Sequence, residues 1–396
     1  MTSMLSVEHG VAVLQHTVAA ALAGSRQVPV NDVLSDLGSG ADDLRNGGAA
    51  LDSLDQLTVA REVATFFELE KTGAEELLLR RRRLDQWSEL IVQGLDEGIV
   101  TDLWLRSGGT TGEPKLLPHP VARLKAEVKD ITWAVAGTRR IVSLVPLHHI
   151  YGLIWGPLLA SRLAVPLIHG PTALKAVHED LRAGDLLIAV PELWRYLAGR
   201  RQPFPDGVRG VTSTAPCPPG LIAHLREQGL ATVLEIYGSS ETGGIGWRED
   251  PGDGYRLFGH WQRHDEDHLI FGEAGPVLLP DHVRWDAKGR VTPVRRRDGA
   301  VQVGGANVWP ARVAAFIERH SAVKACAVRP MEAAGGGLRL KAFVVPEGSE
   351  SGVAQADLAA ELRIWLSAEL PAAERPVQFT VGDALPRNAL GKLCDW

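Results

Sequence analysis

The sequence predicts an α/β fold, with a helical unit in front of the sheet and a smaller α+β domain behind it. Residues 1–97 show helical spacing and few β-branched runs. Over residues 101–294, short apolar segments alternate with glycine and proline turns and helical stretches, and the alternation restarts near residue 298. Such alternation is typical of α/β sheets. We therefore expect three domains, over residues 1–97, 98–297 and 298–396.

The first domain is expected to be helical throughout. Residues 11–24 are apolar, but they include Gln15 and His16 and lack a basic segment ahead of them, so they predict an amphipathic helix and not a signal peptide. A second helix should bury one face made of residues at helical spacing. These are Leu57, Ala60, Ala64 and Phe67.

The second and third domains carry strand and helix patterns in alternation. In the second, strands are expected at residues 141–145, 186–190 and 233–236, and a helix at 219–228. The junction falls near residues 295–298. In the third, the expected elements are a strand near 301, a helix at 310–320, strands at 325–329 and 338–345, and a helix at 356–369.

Composition excludes several classes of function. The chain has 396 residues and a net charge of −6, so nothing favours nucleic acid or an anionic membrane as a partner. The basic run at residues 80–83 is either a solvated helix face, which we favour, or a docking surface for an acidic protein. The three cysteines share no metal-binding or disulfide spacing, which suits a reducing cytoplasm.

The segment Ser107-Gly-Gly-Thr-Thr-Gly-Glu-Pro-Lys115 predicts a phosphate-binding loop. Glycines let the backbone approach an anion so that successive N–H groups can surround it. Thr110 and Thr111 add hydroxyl donors, and Lys115 adds a positive charge. The nucleotide-kinase pattern does not fit, because Glu113 and Pro114 separate Gly112 from the lysine.

Four further segments along the chain make the interpretation of this loop more specific. They are 145–152 (VPLHHIYG), 235–244 (EIYGSSETGG), 304–310 (GGANVWP) and 385–392 (LPRNALGK). With the loop, they resemble in order and spacing the adenylate-forming superfamily of acyl-CoA synthetases, luciferase and peptide-synthetase adenylation domains. The resemblance covers residues 101 to 396, and implies a shortened large domain that binds AMP and a mobile small C-terminal domain.

The resemblance implies a binding site for ATP and Mg²⁺. The loop would hold the β- and γ-phosphates, although Gly108 stands where the family commonly has serine. Glu241 matches the magnesium ligand, and a carboxylate oxygen suits Mg²⁺ on two phosphates. Tyr237 would stack on adenine, with residues 214–216 on its other face. The nucleotide-binding residues so implied are Ser107, Gly108, Gly109, Thr110, Thr111, Gly112, Lys115, Thr214, Ala215, Pro216, Tyr237, Gly238, Ser239, Ser240, Asp281 and Arg296.

The resemblance also implies the catalytic groups. Lys392 matches the lysine that stabilises negative charge at the α-phosphate. His149 borders the acyl pocket and the thiol tunnel, Thr110 and Glu241 complete the catalytic set, and Asp298 is the hinge. The implied pocket residues are His149, Tyr151, Gly152, Gly238, Gly243 and Gly244. At Asp281 the family's preceding glycine is replaced by proline, and the arginine before the hinge could be a neighbour of Arg296.

The front end is unusual for this superfamily. Only 106 residues precede the loop, so part of the usual large domain is missing. Asp52-Ser53-Leu54 opens a predicted helix and resembles an acyl carrier protein, in which that serine bears phosphopantetheine. Leu51 takes the place of the usual glycine. An ordinary helix N-cap is the alternative interpretation.

The implied reaction joins a small carboxylic acid to a thiol through an acyl-adenylate. The acceptor is CoA or a 4′-phosphopantetheine carrier protein, since Gln302 replaces a lysine common in CoA ligases. The loop with the following Leu116-Leu-Pro118 resembles aryl-acid ligases, and residues 148–152 (HHIYG) resemble coumarate ligases and luciferase, so an aromatic or small hydrophobic acid is expected. The alternative function is a non-catalytic module that docks carriers or binds acyl-adenylates.

Overall fold

A computed structural model describes residues 3–106, 115–200, 202–333, 336–348, 352–387 and 393–396. The described chain forms two compact units. The first contains the described residues of 1–107, 115–279 and 283–292, and the second contains those of 280–282 and 293–396. The second boundary thus lies close to the junction expected from the sequence, whereas no boundary separates residues 1–97 from the sheet that follows.

The first unit contains eleven α-helices among its described residues. They are α1 (Val7–Arg26), α2 (Val30–Asp36), α3 (Ser53–Phe66), α4 (Glu75–Arg80), α5 (Leu84–Asp96), α6 (Val121–Ile131), α7 (Ile150–Leu153), α8 (Leu159–Leu163), α9 (Pro171–Glu179), α10 (Pro191–Ala198) and α11 (Pro219–Glu227). A π-helical segment, Ile154–Leu158, joins α7 to α8 and contains Pro157. A proline cannot donate a backbone hydrogen bond, which favours a local departure from α-helical winding.

Twelve strands lie wholly in the first unit. They are β1 (Asp102–Arg106), β2 (Leu116–Pro120), β3 (Arg140–Ser143), β4 (Leu167–Ile168), β5 (Asp185–Ala189), β6 (Arg209–Thr212), β7 (Thr232–Ser239), β8 (Gly243–Arg248), β9 (Arg256–Leu257), β10 (Gln262–Arg263), β11 (His268–Ile270) and β12 (Val277–Leu278). The largest sheet has the order β4-β3-β5-β6-β7-β8-β9. Strands β3 to β7 run parallel to one another, whereas β8 pairs antiparallel with both β7 and β9. The carboxyl ends of the parallel strands therefore share one edge, where ligands bind in open α/β sheets.

Two further strands, β13 (Asp281–Trp285) and β14 (Val291–Arg296), lie where the chain passes between the units. The second unit then contains β15 (Val301–Val303), β16 (Ala306–Val308), α12 (Pro310–Ile317), β17 (Val323–Glu332), β18 (Leu338–Pro346), α13 (Gly352–Glu369) and β19 (Gln378–Val381). Its sheet has the order β17-β18-β19, and residues of α12 and α13 share its apolar core. The expected small α+β domain is confirmed.

The N-terminal helices pack into the core of the first unit, so the carrier-like domain expected over residues 1–97 is not a separate body. Apolar residues of α1, α3 and α5 belong to the same hydrophobic cluster as those of α7, α8 and β3. The Ser6 amide donates to Ser161 Oγ at 3.0 Å, and His9 Nδ1 lies 2.9 Å from the same oxygen. These contacts bind α1 to α8. A free carrier protein needs a hydrophobic core of its own, whereas the N-terminal helices share theirs with the large sheet.

Two details of the N-terminal helices also differ from the expectation. Helix α1 is buried over most of its circumference, as in a helix enclosed by a large core, and is not a surface amphipathic helix. Ala60 and Ala64 of α3 and Phe67 just after it are buried, but Leu57 is 54% exposed. Val59 and Val63 occupy the buried face instead. The basic run divides between the end of α4 and its connection to α5.

Candidate active site

The residues expected to hold adenine lie at the carboxyl edge of the large sheet. Residues 214–216 follow β6, and Tyr237 lies near the end of the neighbouring strand β7. On either side of 214–216, the Ser213 hydroxyl donates to the Ile236 carbonyl at 3.0 Å and the Cys217 amide donates to Glu235 Oε1 at 3.0 Å. Both bonds hold the segment against β7.

Thr214 has a left-handed backbone, with φ of +77°. This conformation is strained for a β-branched residue, and strain of this kind clusters at ligand sites. The residue is exposed, as is Pro216, whereas Ala215 is half-buried. The strained turn therefore presents its surface at the sheet edge, where adenine is expected to bind.

Tyr237 is 7% exposed, and its ring centroid lies 5.4 Å from that of Tyr255. Tyr255 donates to Glu235 Oε1 at 2.9 Å, and burial, followed by the nearby Glu235 carboxylate, raises the pKa of its phenol. The Tyr237 ring thus has a firm aromatic support on one side. Stacking of Tyr237 on adenine stays a prediction.

Glu241 lies at the tip of the hairpin formed by β7 and β8. Its side chain is exposed, and its amide donates to Ser239 Oγ at 3.2 Å. Ser239 Oγ also lies 3.0 Å from Thr242 Oγ1, so two hydroxyls brace the turn that contains Ser240. The strands approach closely: a Cβ on Gly238 would lie 2.3 Å from the Gly243 carbonyl oxygen. Only glycine fits at position 238 without a backbone shift.

The Glu241 tip suits a magnesium ion held mainly by phosphates. Within the described part of the chain, no three histidine, cysteine or acidic side chains converge to hold a metal. One exposed carboxylate is nevertheless what Mg²⁺ needs from the protein when phosphate oxygens and water supply the other ligands.

A row of buried polar groups lies beneath this hairpin. Arg123 Nη2 lies 3.0 Å from His119 Nδ1 and donates to the Glu241 carbonyl at 3.4 Å. Glu127 Oε1 accepts from the Gly244 amide at 2.9 Å. Burial raises the pKa of Glu127 to about 8, and burial together with Arg123 lowers the pKa of His119 to about 3. His119 is therefore neutral near pH 7, and burial shifts Glu127 toward its protonated form, as expected in low-dielectric surroundings.

Gly243 and Gly244, expected in the acyl pocket, face this row. A Cβ on Gly243 would lie 2.7 Å from Glu127 Oε2, and one on Gly244 would lie 2.4 Å from Glu127 Oε1. The Trp261 indole donates to the Gly244 carbonyl at 2.8 Å. These glycines leave the space that Glu127 occupies.

The segment after β3 divides into structural and accessible residues. The Tyr151 hydroxyl donates to the carbonyls of Val211 at 2.9 Å and Ala189 at 3.2 Å, so it fastens α7 to the ends of two strands. A Cβ on Gly152 would lie 2.1 Å from the Pro146 carbonyl oxygen. His149 is exposed to solvent. Of the three expected pocket residues, only His149 offers a side chain to a ligand here.

The expected phosphate loop and catalytic lysine fall largely outside the described residues. These are Ser107, Gly108, Gly109, Thr110, Thr111, Gly112 and Lys392. The loop joins the paired strands β1 and β2, in which Arg106 lies opposite Leu116. Arg106 forms an ion pair with Glu62 at 2.7 Å, and Lys115 at the far end of the loop is exposed.

In the second unit, the expected nucleotide arginine and hinge aspartate bind each other. Arg296 Nη2 donates to Asp298 Oδ2 at 2.8 Å, and the Ala300 amide donates to Asp298 Oδ1 at 3.0 Å. Burial acts to raise the pKa of Asp298, but these hydrogen bonds prevail and lower it. Asp281 is 8% exposed. Their roles toward ribose and phosphate stay predictions.

Ser53 is the first residue of α3 and is exposed. The residue before it, Asp52, is the N-cap: Asp52 Oδ1 accepts from the Asp55 amide at 2.7 Å, and Asp55 Oδ2 accepts from the Asp52 amide at 3.4 Å. This reciprocal capping accounts for the aspartate without a carrier function.

Sequence reasoning missed the buried polar residues around the site. Arg123 and Glu127 are four residues apart and so share a helix face, which is a readable signal. His9 and His16, seven apart on α1, carry the same kind of signal. No comparable pattern indicates Glu235 or Tyr255, because their contact joins β7 to a residue twenty positions later in the chain.

Two comparisons of sequence identify the same regions. Residues 105–310 match the family described as AMP-binding enzyme, and residues 312–392 match the AMP-binding enzyme C-terminal domain. A 4-coumarate–CoA ligase of Halorhodospira halophila is 36% identical over 86% of this chain and 87% of its own length. A 4-coumarate–CoA ligase of Rhodobacter capsulatus is 37% identical over 88% and 90%.

These shares place part of the N-terminal region inside the match. Residues 107–396 make up less than three-quarters of the chain, so an alignment over 86% of it extends into the helices before the loop. The fold agrees: a variant of the amide bond synthetase of Marinactinospora thermotolerans superposes with a TM-score of 0.59 over 96% of this chain and 92% of its own, at 17% identity.

Proposed function

Because this chain belongs to the AMP-binding enzyme family, we propose that it activates an aromatic carboxylic acid with ATP and transfers the acyl group to a thiol. The observation that carries this proposal is that the exposed Glu241 and the strained turn at Thr214 both lie at the carboxyl edge of one sheet. An acidic group for Mg²⁺ and a turn for adenine are the two fixed points that Mg·ATP requires.

The proposed reaction has two steps. A carboxylate oxygen of the acid attacks the α-phosphorus of ATP, and the bond from that phosphorus to the bridging oxygen breaks as pyrophosphate leaves. A thiolate sulfur then attacks the acyl carbon, and AMP leaves. Mg²⁺ at Glu241 would offset charge on the departing pyrophosphate, and Lys392 would stabilise charge at the α-phosphate.

The names of the relatives support an aromatic acid and CoA. Two relatives that match most of this chain are 4-coumarate–CoA ligases. Gln302 stands where many CoA ligases have a lysine, which leaves a carrier protein as the second acceptor. Its side-chain amide donates to Asn307 Oδ1 at 2.5 Å, within the hairpin of β15 and β16. We propose CoA as the principal acceptor.

Pyrophosphate release across a panel of carboxylic acids tests the proposal. We expect release with ATP and Mg²⁺ when the acid carries an aromatic ring, and little with acetate or with amino acids. Release should stop when EDTA removes Mg²⁺. Adding CoA should convert the bound adenylate to a thioester detectable by mass spectrometry. Absence of release with every acid would refute the enzymatic function and favour a binding module.

Modification of Ser53 is tested separately. Incubation with a phosphopantetheinyl transferase and CoA should leave the intact mass of the protein unchanged, because Ser53 belongs to a capped helix fixed in the large unit. A free acyl carrier protein treated in parallel is the positive control. A mass gain of one phosphopantetheine, lost in Ser53→Ala, would instead show that the chain carries its own thiol arm.

A further inference from the structure

Four histidines from distant parts of the chain meet in the first unit. His148 and His149 follow β3, His169 follows the neighbouring parallel strand β4, and His16 comes from α1. We call them the histidine cluster. His16 Nε2 lies 3.2 Å from His169 Nδ1, and the ring centroids of His16 and His148 are 6.3 Å apart.

The cluster leads from the surface into the core. His149 is exposed, and its ring centroid lies 4.3 Å from that of His148, which is half-buried. His16 at the inner end is 4% exposed. The rings therefore form a connected series that starts at His149, where the acyl pocket is expected, and continues to the buried ring of His16.

The imidazoles of His16, His148 and His169 are neutral near pH 7. Burial, with smaller contributions from neighbouring histidines, lowers the pKa of His16 to about 2, that of His148 to about 3 and that of His169 to about 4. A neutral imidazole offers one N–H donor and one nitrogen acceptor. Neutral imidazoles do not favour the binding of a second carboxylate group, because that group would need a positive charge beside it.

The hydrogen-bonding capacity of the cluster is only partly used. His16 and His169 form a hydrogen bond with each other, whereas the buried Nδ1 of His148 has no hydrogen-bond partner among the described residues. A buried polar atom without a partner costs free energy. A hydroxyl group, which donates one hydrogen bond and accepts others, is the neutral ligand that best matches this set.

We propose that the histidine cluster recognises a hydroxyl group on the aromatic ring of the acid, with His16, His148 and His169 as specificity-determining residues. This proposal rests on the function proposed above. It places the carboxylate end of the substrate toward the nucleotide and the ring hydroxyl toward α1. It also explains why an N-terminal helix lies in the core of the large unit: the helix supplies one wall of the acyl pocket.

Three acids of graded chemistry test the proposal: cinnamate, 4-hydroxycinnamate and 4-methylcinnamate. The methyl compound resembles the hydroxyl compound in size but cannot hydrogen-bond. Binding is measured by calorimetry without ATP, and turnover by pyrophosphate release. We expect the wild-type protein to favour the hydroxyl compound over both others by about tenfold or more, since an unpaired buried polar group costs about 1–3 kcal/mol.

The variants His16→Leu and His169→Phe should lose that preference while still converting cinnamate. His16→Gln, which keeps a donor and an acceptor, should retain part of it. His178→Leu, at an exposed position on α9, is the matched control and should behave as wild type. If His16→Leu fails to fold, His169→Phe carries the test, because His169 is only half-buried.

The outcomes separate the two proposals. Equal affinity and turnover for the three acids in the wild type, or an unchanged preference in folded variants, would overturn the role of the cluster and leave the ligase function intact. Preferential binding of 4-hydroxycinnamate that the variants lose, without pyrophosphate release from any acid, would support the cluster and refute the ligase.

Discussion

Replacement of Lys392 by alanine should lower the rate of acyl-adenylate formation by about 10²–10³-fold, the usual effect of removing one group that stabilises charge in a transition state. The attack of the carboxylate builds negative charge around the α-phosphate, and the ammonium group is the expected counter-charge. The apolar core of the small unit is formed by residues of β15 to β18, α12 and α13, so the fold should persist in this variant.

The measurement compares the two half-reactions. Pyrophosphate release should fall, whereas transfer from a supplied acyl-adenylate to CoA should continue near the wild-type rate, because the first bond is then already made. Lys324→Ala is the control, since Lys324 is an exposed lysine on β17 of the same unit. An unchanged rate of pyrophosphate release in Lys392→Ala would exclude this lysine from adenylation.

The sequence predicted the strands of both units well, because buried strands leave continuous apolar runs. The expected strands at 186–190 and 338–345 correspond to β5 (Asp185–Ala189) and β18 (Leu338–Pro346). It predicted the wrong packing for α1. Apolar residues on most sides of a helix indicate burial, but they do not say against what. The hydrogen bonds of Ser6 and His9 to Ser161 join residues about 150 positions apart, and no local pattern encodes them.

The candidate site shows the same division. The glycines of the Glu241 hairpin and the residues after β6 could be placed from motifs, because close backbone approach demands particular residue types. The partners of those residues could not. Arg296 and Asp298 were assigned separate roles, yet they form an ion pair in the structure. Tyr151 was expected in the pocket, but two strand carbonyls take its hydroxyl.

Replacement of Glu235 by alanine should lower the free energy of unfolding of the first unit by about 3–5 kcal/mol, the usual cost of removing one partner from a buried ion pair. Glu235 is 1% exposed, and its Oε2 accepts from Arg248 Nε at 2.9 Å. Its Oε1 accepts from the Cys217 amide and the Tyr255 hydroxyl. The substitution would leave the Arg248 guanidinium buried without its counter-charge.

The same carboxylate joins the strand that carries Tyr237 to the end of the turn that contains Thr214. Loss of the bond to Cys217 should therefore also loosen the expected adenine site and raise the KM for ATP more than the KM for the acid. Glu235→Gln, which keeps one acceptor oxygen but replaces the other with an NH2 donor and carries no charge, should fall between alanine and wild type.

Chemical denaturation and the two KM values measure these effects. Glu249→Ala, which removes the same charge from an exposed position just beyond β8, should change stability by no more than about 0.5 kcal/mol. A wild-type denaturation midpoint in Glu235→Ala would show that Arg248 finds other partners, because its guanidinium already donates to the carbonyls of Pro251 and Asp253 at 3.0 Å. A raised KM for the acid alone would instead place Glu235 on the acyl side of the site.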